Sequence, residues 1–87
     1  MRVLVETDDQ CGVESLIGER VMLYCMNYHY CGKLVGVGDR TLKLEDCDCV
    51  FETGPFSEPG WKDAQRLPGP CHYVERQAVE SFGFECK

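Results

Sequence analysis

From Val21 onward the apolar residues recur at every second position, and this period restricts the chain to half-buried β-strands. Val21, Leu23 and Cys25 alternate on one face, and Tyr28, Tyr30, Gly32 and Leu34 resume the alternation after a short break. A two-residue turn at Met26-Asn27 would oppose Cys25 with Tyr28, Leu23 with Tyr30 and Val21 with Gly32. Every inward residue then keeps an inward partner, which is what a fixed register demands. Asn27 suits the left-handed conformation of such a turn. The next break follows the same logic. A loop of Gly38, Asp39 and Arg40 opposes Leu34 with Leu44 and Gly36 with Leu42, whereas a shorter turn would set Leu34 against Lys43. After Leu44 the apolar signal moves to Cys47, Cys49 and Phe51, so a β-bulge near Glu45-Asp46 is expected, with a strong bend.

The flanks are less periodic. Val13, Leu16 and Ile17 share a face at helical spacing, with Asp8 or Asp9 as cap and Gly18 as stop. Val3 and Val5 suggest a small extra strand. All four prolines and three glycines fall between Gly54 and Pro70, where regular structure is not expected. Trp61 and Phe56 are the side chains that could anchor so long a loop. Trp61 reads either as a plug over the end of the fold or as an anchor for a partner. Beyond the loop, Cys71 to Arg76 and Ala78 to Phe84 read as two strands around Gln77. The expected fold is mainly β: a short N-terminal helix and a five-stranded, strongly bent antiparallel open barrel. Its 87 residues make one domain, residues 1–87, with the Pro/Gly-rich loop at 54–70.

Charge limits the function. Nine Lys and Arg against fifteen Asp and Glu give −6, and Glu6, Asp8, Asp9, Glu14 and Glu19 face Arg2 alone in the first nineteen residues. A duplex-DNA binder needs a basic face, so duplex DNA is not expected. No apolar run has the roughly 20 residues of a membrane helix, and the opening turns acidic too soon for a secretory signal. The expected location is the cytoplasm, with no membrane partner.

Seven cysteines are an odd number and argue against a complete disulfide framework. Cys47, Cys49, Cys71 beside His72, and Cys86 offer a zinc alternative. However, Cys-x-Cys departs from the spacing that lets two thiolates reach one ion from a turn. Packing as small buried hydrophobes is the simpler expectation, with no metal or other cofactor. Enzymatic chemistry finds no support, because the chain has neither a nucleophile elbow nor a phosphate loop. The acids and thiols of 46–49 alternate across one strand and cannot converge on one atom. Tyr24 and His29 are the exposed pair of the aromatic cluster at 24–30, with Tyr28 and Tyr30 directed inward.

Three segments together resemble the first signature of Sm-like proteins. They are Ile-Gly-Glu-Arg-Val-Met-Leu-Tyr at 17–24, Tyr-Cys-Gly-Lys-Leu-Val-Gly-Val-Gly-Asp at 30–39 and Leu-Lys-Leu-Glu-Asp at 42–46. The shared features are Gly-x-x-Val after a helix, Gly-x-Leu-x-Gly in the second strand, an aspartate in the next turn and a Leu-x-Leu-Glu-Asp strand. Val74-Glu75-Arg76-Gln77-Ala78-Val79 is similar to the second signature of the bacterial Sm-like RNA chaperone. The resemblance implies an SH3-type small barrel whose outer strands pair between protomers. His72 and Val74 on one strand, and Val79 and Phe82 on the next, would then form the interface of a homo-oligomeric ring. It also implies single-stranded RNA binding through Asp39, Arg40, Thr41, Arg76 and Gln77. Asp39 is followed by Arg40, Thr41 and Leu42 where the family has a stacking residue and a base-reading Asn. The competing expectation is therefore a protein-interaction or scaffold ring without a nucleotide pocket.

Overall fold

The computed structural model describes residues 12–85. The strand expected at Val3 and Val5, the Asp8 or Asp9 cap and the Cys86 ligand lie outside the described residues. The chain is mainly β. The elements are a four-residue 3-10 turn at Val13–Leu16, strands β1 (Arg20–Cys25), β2 (His29–Val37), β3 (Thr41–Glu52), β4 (Asp63–Arg66) and β5 (Cys71–Glu75), a second 3-10 turn at Arg76–Ala78, and β6 (Val79–Phe84). All pairings are antiparallel, in the order β4-β3-β2-β1-β6, with β5 also on β3. The sheet does not close on itself. Among the described residues no helix is long and apolar enough to cross a membrane.

The first hairpin has the expected register, with Leu23 opposite Tyr30 and Val21 opposite Gly32. Its turn differs. The ladder stops at Tyr24 and His29, and the Cys25 N–H donates to His29 Nδ1 at 3.3 Å. Asn27 does not take the left-handed conformation; Asp46, at φ 50°, is the one non-glycine with positive φ among the described residues. Tyr28 therefore leaves the inward alternation. It is 47% exposed and packs edge-on against Phe51, which is also exposed. In the second hairpin Leu34 opposes Leu44 as expected, but Val35 is an extra residue, so Gly36 faces Lys43 and Leu42 faces Val37.

The bulge at Glu45-Asp46 organises the rest. Cys31 opposes Asp48 and Lys33 opposes Glu45, leaving Asp46 and Cys47 together across from Gly32. Positive φ at Asp46 turns the strand there. One edge of β3 consequently serves two partners. Thr41 to Glu45 pair with β5, and Asp48 to Glu52 pair with β4. β4 lies inside the segment expected to be irregular. It contains neither Pro nor Gly, and its four residues are all exposed, so it carries no apolar alternation to betray it. The sheet thus has six strands, not five.

The inward alternation builds one core from Val13, Val21, Leu23, Cys25, Leu34, Leu42, Leu44, Cys47 and Val74. A second, smaller cluster forms on the opposite face from Met22, Cys31 and Val50, with Tyr24 and Trp61 packed on it. The loop after β3 folds back to cover that face, with the Lys62 N–H bonded to the Thr53 carbonyl at 3.3 Å. Trp61 meets Phe56 edge-on at 6.4 Å, and Phe56 meets Tyr24 at 6.3 Å. The tryptophan is a cover on the outer face of the sheet. Where a short helix was expected, the described residues form a 3-10 turn with Gly12 as its N-cap residue. The Gly18 N–H donates to the Leu34 carbonyl at 2.7 Å and fixes the turn to β2.

Candidate binding surface

The turn between β2 and β3 and the second 3-10 turn come together at one end of the sheet. Gly38 donates its N–H to the Thr41 carbonyl at 2.8 Å, closing the loop. The Arg76 N–H donates to the Arg40 carbonyl at 2.8 Å, and its guanidinium donates to the Gly38 carbonyl at 2.9 Å. The same guanidinium faces a Glu14 carboxylate oxygen at 3.5 Å. Asp39 and Arg40 are exposed, and Thr41 is half-buried opposite Glu75. Asp39, Arg40, Thr41 and Arg76 are thus neighbours. Gln77 is not part of this contact; it borders a hollow with Met26, Ala78, Val79 and Glu80. Arg76 holds two loops and an acid together, so it has little left for a phosphate.

The expected interface residues divide in two. Val74 is 4% exposed and sits in the main core opposite Leu42, so its side chain is unavailable to another protomer. His72 is half-buried and stacks on Tyr30, with ring centroids 5.5 Å apart and planes 24° from parallel. Phe82 is exposed, and Val79 is half-buried against the core. β6 pairs with β1 alone, so its other edge is open among the described residues. Phe82 opposes Leu23 and Phe84 opposes Val21. Both phenylalanines therefore project on the core side of the sheet, yet they are 42% and 63% exposed. The cause is the gap between β5 and β6. Among the described residues no strand lies beyond β6 to cover that face. Val13, Leu42, Arg76, Val79, Glu80 and Phe82 line a hollow of about 150 Å³ in the gap.

Two further hollows continue from it. One, of about 400 Å³, joins Met26 to Gln77, Ala78, Val79 and Glu80. Another, of about 390 Å³, joins Met26 to Cys25, Tyr28, Tyr30 and Ala78. Met26 stands between them and is 83% exposed. Sequence reasoning treated Met26 only as a turn residue and Phe84 only as the end of a strand. The signal for Phe84 was its place two residues after Phe82, on the same face.

Among the described residues no group of three or more metal-ligating side chains comes together. Cys31 and Cys47 are buried, and burial pushes each thiol up to about 12. Burial also raises the Cys25 and Cys49 thiols. Protonated thiols in apolar surroundings suit packing.

No family model matches the chain, and no curated protein matches it significantly. Solved structures do. A chain in the crystal structure of the NatC complex bound to CoA superposes with a TM-score of 0.62 at 15% identity, covering 98% of this chain and 90% of that one. A chain in the NatC complex bound to Gag peptide and CoA gives 0.61 at 16% identity, covering 85% and 92%. The likeness is one of fold.

Proposed function

We propose that this protein is a non-catalytic, protein-binding subunit with a divergent Sm-like fold, built to complete its sheet against another polypeptide. The observation that carries the reading is the open edge of β6, where core-side Phe82 and Phe84 remain exposed. An unpaired edge with apolar side chains is a liability that proteins cover, and a partner strand is its usual cover. The corresponding chains come from a multi-protein complex, which supports the same reading. The Sm-like assignment draws on the signature residues in their packing. Gly18 meets Leu34, Gly32 lies against the bulge, Asp39 sits in the turn, and Leu42 and Leu44 are core. Completing the bent sheet across the β5–β6 gap would give the open barrel its remaining wall.

Single-stranded RNA binding by a homo-oligomeric ring is the second reading. It is favoured by one contact, the meeting of Arg76 with the turn that carries Asp39 and Arg40. It is weakened by the commitment of Arg76 to Gly38 and Glu14, and by the absence of an aromatic ring at 40 or 41. Stacking contributes about 1–3 kcal/mol per base.

The test is size fractionation of the endogenous chain from its source cells, followed by cross-linking of the fraction. The expected result is a discrete mass well above 9.9 kDa that contains another polypeptide and is lost with Phe84→Lys. Recovery at the monomer mass would refute the proposal. A nuclease-sensitive complex lost with Arg40→Ala would favour RNA.

A further inference from the structure

Three hollows run from the open edge of β6 around the second 3-10 turn to the β1–β2 turn. They share residues: Val79 and Glu80 join the first to the second, and Met26 and Ala78 join the second to the third. The apolar surface is therefore one tract leading from Phe82 to Tyr28, not separate dimples. Met26 stands at its centre on a turn, and an unbranched thioether adapts to whatever packs beside it. Nothing within the described chain needs Met26 there, because its side chain is almost fully exposed.

The acid that borders the tract is Glu80, which lines two of the hollows and is in no ion pair among the described residues. The cation beside it, Arg76, is already engaged with Glu14 and the Gly38 carbonyl. A second copy of this chain would bring a further −6 and the same unpaired acid to the contact. Complementary potential favours a partner of the opposite sign.

Resting on the protein-binding reading above, we infer that the occupant is an extended segment of a different polypeptide in which apolar residues alternate with Lys or Arg. Its backbone pairs with β6, and a basic side chain meets Glu80. One apolar side chain beyond the strand end seats against Met26, between Ala78 and Tyr28. The strand pairing supplies general affinity, and the Met26 seat and Glu80 supply choice of partner.

The experiment is a titration of the full chain, labelled with 15N and with methyl-13C methionine. The probe is a synthetic peptide of alternating valine or leucine and lysine, eight residues long, with a Glu-for-Lys peptide of the same pattern as control. The expected result is that the lysine peptide shifts the amides of Val79–Phe84 and the Met26 methyl, and that the glutamate peptide binds at least tenfold more weakly. Glu80→Lys should weaken the lysine peptide about three- to tenfold, because a favourable charge is replaced by a repelling one. Met26→Ser should weaken it about tenfold, as loss of a central apolar contact does. Both side chains are exposed, so neither variant threatens folding. Shifts confined to β6 with Met26→Ser neutral would overturn the seat while leaving the edge reading intact. Equal binding of the two peptides would overturn the basic partner. A concentration-dependent dimer that protects β6 would assign the surface to a second copy and overturn the inference. Silence at every β6 amide would overturn the edge reading with it.

Discussion

Gly32 is where the bend of β3 is most sharply tested. A Cβ placed on it would lie 2.8 Å from the Glu45 carbonyl oxygen, 3.1 Å from Cys47 Cα and 3.3 Å from the Asp46 carbonyl oxygen. All three atoms are backbone, so no side chain can rotate away. To reach the 3.4 Å at which ordinary contact begins, Glu45 must retreat by about 0.6 Å, and it is held in register with Lys33. Overpacking of this kind costs about 1–3 kcal/mol, and a contact with rigid backbone falls in the upper part of that range, about 2–3 kcal/mol. Replacing Gly with Ala restricts the unfolded chain and returns about 0.4–1 kcal/mol. The net loss for Gly32→Ala is then about 1–2.5 kcal/mol, a large share of the roughly 4–13 kcal/mol available to a chain of this length. At about 4–8 °C per kcal/mol, Tm should fall by about 4–20 °C.

Thermal and urea unfolding followed by circular dichroism would measure this, with Gly83→Ala as the control. Gly83 also lies in a strand, but a Cβ there would meet nothing within 4 Å. It should be neutral or slightly stabilised. If Gly32→Ala unfolds within about 0.5 kcal/mol of Gly83→Ala, the bulge does not press on β2, and the account of the bend given above is wrong.

Other changes probe the two faces of the sheet and the convergent turns. Trp61→Ala should cost about 2–4 kcal/mol, somewhat less than a fully buried tryptophan, and should expose Met22, Cys31 and Val50; an unchanged urea midpoint would mean that the loop is not a cover. Alkaline pH should destabilise the fold through Cys31 and Cys47. Their thiols are held up to about 12 in the folded chain and ionise near 8.5 when unfolded. Below the unfolded value this contribution is fully present, and it is lost between about pH 9 and 12 as the unfolded chain alone releases protons; a urea midpoint that holds steady from pH 8 to 10.5 would refute it. Arg76→Ala should cost about 1 kcal/mol through the lost bond to Gly38 and loosen the 38–41 turn. If it leaves stability untouched but abolishes RNA binding, the guanidinium is a ligand contact and not a tie.

The sequence was most informative where local periodicity and tertiary burial agree. The register of the first hairpin follows from matching Val21 and Leu23 to Gly32 and Tyr30, because one face of those strands is core. The bulge follows from the change of phase after Leu44. The two late strands follow from their apolar ends around Gln77. What escaped was set by contacts distant in sequence. Met22, Cys31 and Val50 lie on the face that alternation assigns to solvent, and a loop whose prolines and glycines signal coil covers them. β4 is held by β3 alone and buries none of its side chains, so it leaves no pattern. Tyr28 continues the inward period in sequence but falls within the turn. Of the expected binding residues, the meeting of Asp39, Arg40, Thr41 and Arg76 was legible through the resemblance. The ties that occupy Arg76 were not, since Glu14 is 62 residues away.

Those ties bear on which partner the protein can take. A phosphate at the convergent turns would have to displace Glu14 and compete with the Gly38 carbonyl, under a molecular charge of −6. At the β6 edge no described strand has to be displaced. The Phe82 and Phe84 side chains are already in water, and burying such rings removes a cost that folding left in place. Edge pairing adds backbone hydrogen bonds without a conformational change in β1 or β6. On the proposed reading Glu80, an obstacle to RNA and to a second copy alike, attracts a basic segment. The charge that argues against nucleic acid would then also favour a basic polypeptide, and salt should separate the cases. Raising ionic strength screens Glu80 over roughly 10 Å and less, so it should weaken a lysine-bearing strand by a few-fold. Self-association of acidic copies should strengthen instead.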